Sequence, residues 1–388
     1  MLSKLEQFTQ ACIKLEKRGI VVHEERCLRN RHLHSSCQLC FAICPHGAIL
    51  CSEGFALLAE KCTGCGACAS VCPGGALSAK LPSYNELHSL VALHVEHSEA
   101  VAFACEAYLK IHPAERQRAI AVQCIARCDE AILVNAVLRG ATNVAILNAS
   151  CANCLQNKLC SLSQTMADTA NRLLERWQYP NVIALTEKIP AKIKPLPITA
   201  GEVTGMSRRD FLTAFKRKST SLFSQVLPEI ISGAADKQPE SSIVRQNSMV
   251  ESKYWPDKWS SLVNLLKQLK SPPDPADFSS SLWGDIRIAD NCNGCGACAD
   301  VCPTEAMVIH KQDSFWSVSL DASRCTQCGL CQDVCCGGSI EMISTVALDT
   351  ILAQRPRVLI VKKQEDINNL FEPVEQRMAR LLGCAVKN

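Results

Sequence analysis

Cysteine recurs in this chain at intervals that core packing does not select. Cys292, Cys295 and Cys298, with two residues between neighbours, and Cys302, after three intervening residues, form one run ahead of Pro303, and Cys325, Cys328, Cys331 and Cys335 repeat it. Nearer the start, Cys62, Cys65, Cys68 and Cys72 do the same ahead of Pro73, and Cys37, Cys40 and Cys44 make a shorter run ahead of Pro45. Three thiolates separated by two residues, followed by Cys-Pro, are the pattern that wraps a cubic [4Fe–4S] cluster, with the fourth thiolate reaching a second one. Structural zinc closes on four ligands, typically as two separated pairs, and has no need of the third thiolate in each run. With 26 cysteines in 388 residues, most must be ligands.

The pair of runs from 292 to 335 resembles the bacterial two-cluster ferredoxins. Between the runs, Ala306–Ile309 and Phe315–Val318 read as a short hairpin. The spacing predicts that Cys292, Cys295 and Cys298 are completed by Cys335, and Cys325, Cys328 and Cys331 by Cys302. Cys336 stands where proline usually follows the fourth ligand, and reads as a spare thiol. In the first pair, Cys62, Cys65 and Cys68 are expected to share a site with Cys44, and Cys37 and Cys40 with Cys72. His34 occupies the place of a first cysteine, so either His34 or Cys27 completes that site. Thiolate is the softer ligand, which favours Cys27. The total expectation is four [4Fe–4S] clusters.

Between the runs the pattern changes. Val101–Ala104, Ala119–Val122, Val144–Leu147 and Val182–Leu185 are apolar runs that alternate with helical stretches at Asp129–Arg139 and Leu162–Trp177. That alternation predicts a parallel sheet covered by helices. Cys105, Cys124 with Cys128, and Cys151, Cys154 with Cys160 follow successive strands, at the edge where open parallel sheets collect ligands. Buried structural thiols are the alternative. Phe103-Ala104-Cys105, Cys124-Ile125-Ala126-Arg127 and Leu138-Arg139-Gly140-Ala141 resemble the iron–sulfur delta subunit of methyl-viologen-reducing hydrogenase and heterodisulfide reductase. That resemblance implies a [2Fe–2S] cluster on Cys105, Cys124, Cys151 and Cys154. Tyr108 departs from the family, which often has another cysteine there.

The expected organisation is therefore α+β ferredoxin-like modules at both ends flanking an α/β parallel-sheet domain. Residues 1–83 are the first module, 84–190 the α/β domain and 283–345 the second module. Residues 191–282 read as a linker, tether-like from 232 with one helix around Trp259–Leu269, and 346–388 as a tail packing on the second module. Ser207-Arg208-Arg209-Asp210-Phe211-Leu212 looks like an export motif, but it lies deep in the chain and is followed by Lys216-Arg217-Lys218 rather than an apolar run. It resembles the opening of accessory ferredoxins of periplasmic nitrate reductase systems and is expected to cap a basic docking helix.

No apolar stretch is long enough to span a bilayer, and Met1–Ile20 reads as an amphipathic helix rather than a signal peptide. A cytoplasmic location follows as the expectation. A net charge of +3 gives no footprint for nucleic acid. No Walker loop or dinucleotide fingerprint appears, so no catalytic residue is assigned. The leading expectation is electron transfer between a reduced donor and a partner oxidoreductase, such as a molybdenum-type formate dehydrogenase or a hydrogenase. A maturation or accessory factor for such an enzyme, or a reductase acting at the central cysteines, are the alternatives.

Overall fold

The computed structural model describes residues 19–51, 55–196, 253–269, 272, 277–279, 281–312 and 315–363. The amphipathic helix expected at Met1–Ile20 lies outside these residues except for its end, where Ile20 opens a strand instead; the basic helix after Ser207 and the helix expected at 366–382 lie outside them.

In the first module, β1 (Ile20–Val22) pairs antiparallel with β4 (Leu77–Ala79), bringing Ile20 opposite Ala79. Between them come α1 (Leu28–Arg31), α2 (Leu39–Ile43), the hairpin of β2 (Ile49–Leu50) and β3 (Ala56–Leu57), and α3 (Ala67–Val71). The helices are one turn long and too short to persist alone. They are held by a small core in which Cys27, Cys68 and Cys72 pack with Ile20, Ile49, Ala76 and Leu77.

The α/β domain opens at Ser83, whose hydroxyl accepts from the Glu86 backbone N–H while the Glu86 carboxylate accepts from Ser83 N–H at 2.7 Å. This capping box starts α4 (Tyr84–Ser98). Next come β5 (Val101–Cys105), α5 (Glu106–Ile111), β6 (Ile120–Val122), α6 (Glu130–Leu138), β7 (Val144–Leu147), α7 (Leu159–Glu175) and β8 (Ile183–Thr186). The strands lie in the order β6-β5-β7-β8 and all pairs are parallel. Every residue of β5 and β7 is buried, as a sheet covered on both faces requires.

After the undescribed linker, the helix expected around Trp259–Leu269 forms at Asp257–Leu266 and, rather than riding on a tether, is packed into the core. α8 (Asp257–Leu266) lies against α6, and Trp259, Leu262, Val263 and Leu266 are buried in the same core as the central sheet. The serines, prolines and lysines around it lowered the apparent hydrophobicity, but its buried residues recur at helical intervals and form one apolar face.

The second module repeats the strand–helix–hairpin–helix–strand order of the first. β10 (Asp285–Ile288) pairs antiparallel with β13 (Ile340–Ile343), enclosing α9 (Ala297–Val301), the hairpin of β11 (Met307–Lys311) and β12 (Phe315–Leu320), and α10 (Leu330–Asp333). Outside this unit, β9 (Asp277–Ser279) pairs with β14 (Thr345–Ala347), which leads into α11 (Leu348–Ala353). β15 (Arg357–Lys363) then adds a third strand beside β12, so this part of the tail extends the module's own hairpin.

One buried group gives this architecture a pH dependence. His94, on the inner face of α4, is only 3% exposed, and burial lowers its pKa from 6.5 to about 4. Between those values the unfolded chain takes up a proton that the folded chain refuses, so stability falls as pH drops through this window. Replacing His94→Leu should flatten the dependence of melting temperature on pH between 5 and 7 relative to the parent. Equal slopes in the two proteins would remove His94 from the account.

Candidate iron–sulfur centres

The described cysteines, Cys336 apart, gather into five groups, each lying where a short helix or strand end delivers its thiols to the interior. In the first module, Cys44, Cys62, Cys65 and Cys68 line one cleft. Cys62 and Cys65 come from the loop before α3 and Cys68 from α3 itself, whereas Cys44 is the C-cap of α2. Gly66 makes the loop-to-helix turn with φ of +82°, and a Cβ there would stand 2.6 Å from the Arg127 side chain. That position therefore demands glycine for both backbone and packing reasons.

The second group holds Cys27, Cys37, Cys40 and Cys72. Cys40 is pushed up by burial and then by Cys72, Cys51, Cys37 and Cys27, so all four lie within its electrostatic reach. Cys27 is 8% exposed and occupies the N-cap of α1. His34 is exposed, with its ring 5.3 Å from that of His32 and its N–H donating to His32 Nδ1 at 3.2 Å. The structure thus brings Cys27 to the group and leaves His34 at the surface. Cys51, unassigned from its place in the hairpin, is a fifth thiol hydrogen-bonded to Cys40.

The second module has the same cross-over. Burial pushes Cys298 up to about 12, with Cys292, Cys295 and Cys335 adding to the rise. Cys325 is likewise raised to about 12, mainly by burial and partly by Cys302, and Cys302 and Cys325 also act on Cys328 and Cys331. Each group consequently combines three thiols of one run with the last thiol of the other. Gly294 permits the loop beneath Trp316: its φ is +67° and a Cβ would lie 2.6 Å from the indole.

Backbone hydrogen bonds distinguish the shared thiols. Ala48 N–H donates to Cys44 Sγ at 3.3 Å, Ala76 N–H to Cys72 Sγ at 3.2 Å, and Ser339 N–H to Cys335 Sγ at 3.2 Å. The same four-residue offset at three sites presents a donor to a sulfur that becomes negative when it ligates iron. Cys335 has this bond, while Cys336 is exposed with its thiol turned to Val334 O at 3.7 Å. That difference favours Cys335 as the ligand.

The fifth group sits at the carboxyl edge of the parallel sheet. Cys124 is raised to about 12 by burial, with contributions from Cys65, Cys105 and Cys154. Cys151 is also raised to about 12, by burial and then by Cys160, to which it is hydrogen-bonded, with Cys105 and Cys124 nearby. The expected set of Cys105, Cys124, Cys151 and Cys154 comes together, and Cys160 joins it from the first turn of α7. Cys128 is fully buried close to Cys124.

Among the described residues, no three histidine, cysteine or acidic side chains close around a single ion position. The model of a 4Fe-4S dicluster domain matches residues 291–338, and that of a 4Fe-4S binding domain matches residues 57–78. The chain carries two 4Fe-4S ferredoxin-type domains. These domains indicate iron–sulfur electron transfer. The irregular run from Cys37 to Cys44 lies outside both matches, and no curated protein or solved structure matches the chain. No described helix is long and apolar enough to cross a membrane.

The vacancy in the irregular run gives a direct test. Cys27→Ser should remove about four irons per chain, one [4Fe–4S] equivalent, whereas His34→Ala and Cys51→Ser should leave the iron and acid-labile sulfide content unchanged. Loss of iron in His34→Ala with retention in Cys27→Ser would reverse the assignment.

Proposed function

We propose that the protein is a multi-cluster electron carrier, with [4Fe–4S] clusters on four of its thiol groups and a [2Fe–2S] cluster on the central one. The observation that carries this reading is the repeated pairing of three thiols from one run with the closing thiol of its neighbour. The two groups of each module are also adjacent, because Cys40 is among the neighbours of Cys68 and Cys298 among those of Cys331. When bound, such clusters exchange single electrons at potentials set by hydrogen bonds, charge and exposure.

The chain's own residues supply the rest. Short glycine-bent loops present the thiols, backbone N–H groups face the closing sulfurs, and the apolar surround limits access of water. Clusters of this kind move electrons rather than transform a substrate, so the chemistry of a partner is favoured over turnover at this chain. The partner is a reduced donor on one side and an oxidoreductase on the other, of the molybdenum or hydrogenase class that the sequence resemblances suggest. A cytoplasmic location suits the many free thiols.

Anaerobically prepared protein should contain about sixteen irons in four [4Fe–4S] clusters plus about two in the central site, with acid-labile sulfide to match. Cys151→Ala should lower the iron by about two without disturbing the low-potential signals of the cubes. The full chain is required for this comparison, because α8 completes the core of the α/β domain. Stoichiometric zinc without labile sulfide would overturn the reading.

A further inference from the structure

The two modules and the central sheet are packed so that their thiol groups meet at two crossings. At the first, Cys65 of the 4Fe-4S binding domain lies within electrostatic reach of Cys124 at the sheet edge. Gln156, two residues beyond Cys154, donates from its side-chain amide to Thr63 Oγ1 at 2.8 Å, and His46 Nε2 stands 3.3 Å from the same amide nitrogen. The sheet-edge loop is thereby tied to the residues flanking Cys62 and Cys44. Arg127 fills the space between, lying over Gly66 with its guanidinium 5.3 Å from the Tyr84 ring and 3.7 Å from Asp129 Oδ2. It is 5% exposed, and its Nε has no hydrogen-bond partner.

At the second crossing the two modules touch each other. Leu28 of α1 is buried against Val301, Leu330 and Val334, and Cys37 and Cys328 pack on the same small core from opposite modules. Ser36 is held by Asp333, through its N–H at 2.7 Å and its hydroxyl at 2.9 Å. Arg31, at the end of the same helix as Leu28, lies within electrostatic reach of Cys302 and Cys328 across the interface. Its Nη1 also donates to Glu25 O at 3.4 Å.

We propose that the five groups form one continuous path, running from the central thiols through the first module to the Cys292 group, and that Arg127 and Arg31 are the positioning residues at its two crossings. The proposal rests on the electron-carrier reading above. Each crossing transfers one electron and no atoms, the site on one side being oxidised as its neighbour is reduced, with a low-potential reductant loading the chain. A guanidinium cannot lose its proton at physiological pH, so Arg31 is a fixed positive charge beside thiolate-rich sites, as is Arg127 with its charge partly offset by Asp129. Such a charge favours the more negative, reduced state of both neighbours and offsets their mutual repulsion where the modules meet. The path ends at Cys295, which is exposed, so a partner can approach there.

The test uses the full chain, loaded anaerobically and titrated with dithionite while iron, labile sulfide and EPR spectra are followed. Arg31→Gln should keep the parent's iron and sulfide, lower the midpoint potentials of the clusters on either side of the Cys37–Cys328 contact, and leave that of the Cys292 group unchanged. Arg31→Lys should restore most of the shift. Asp333→Ala, which frees Ser36 without touching a thiol or a charge at α1, should weaken the magnetic coupling between the modules at full iron content. Arg127→Gln should act in the same way on the Cys65 and Cys124 groups; because Arg127 is buried, the Arg31 and Asp333 variants carry the test if that protein fails to fold. Unchanged potentials and coupling in fully loaded variants would overturn the crossings while leaving the electron-carrier reading standing. A parent chain without labile sulfide would overturn both.

Discussion

Each thiol group in the two modules is closed by a cysteine from the other half of its module, and this cross-over organises the rest of the structure. A run such as Cys62, Cys65 and Cys68 can be presented by one loop and one helical turn, but Cys44 arrives from a different turn on the far side of a hairpin. The same holds for Cys335 and the run from Cys292. Bringing the halves together places α2 against α3 and α9 against α10, and aligns the outer strands for pairing. Helices of four or five residues have little stability of their own. Their persistence depends on the thiol-lined centres they surround.

A short segment after the linker holds the three bodies together. Lys253 Nζ donates to the carbonyls of Asp300 and Cys302 at 2.7 and 3.0 Å, satisfying groups that α9 leaves open at its C-terminus. Tyr254 follows, with its N–H bonded to Pro303 O at 2.8 Å and the Arg26 guanidinium 3.6 Å from its ring. Lys258 pairs with Glu130 Oε2 at 2.6 Å and donates to Ser70 O at 3.2 Å. Six residues thus contact the second module, the first module and the α/β domain in turn. The Lys258–Glu130 pair is almost fully desolvated, so removing one partner would leave a buried charge uncompensated; it specifies the docking more than it adds net stability.

Much of this was legible in the sequence because ligand chemistry and strand packing impose short-range patterns. The interval of two residues between thiols and the run Val144–Leu147 between turn residues each follow from local geometry. The run also implies a second one to complete it, and the fold gathers thiols of both runs in each group. What was hidden is whatever depends on contacts between distant segments. Cys51 sits in a hairpin that shows no ligand spacing, and only the fold carries it to Cys40. The helix around Trp259 was legible, but its docking was not: its apolar face is narrow and its neighbours are polar, yet that face is what α6 needs to be covered. The meeting of Cys37 with Cys328 rests on Leu28, an unremarkable residue by sequence alone, filling the space between Val301, Leu330 and Val334.

Burial also ties loading to folding. Cys27, Cys68 and Cys72 belong to the core of the first module, and Cys298, Cys302, Cys325 and Cys331 to the main core, so the candidate ligands and the apolar interior are the same residues. Burial raises the pKa of thiols such as Cys298 and Cys325 to about 12, which keeps them protonated and weakly nucleophilic at neutral pH when no cation is near. Cluster insertion must expel those protons, and the binding energy has to cover that cost along with the ordering of one-turn helices. The same desolvation that makes the empty sites unfavourable for thiolate strengthens every charge interaction once a cluster is held. A fixed cation at a module boundary therefore acts more strongly than it would at the surface, and the two boundaries are where the chain places arginine.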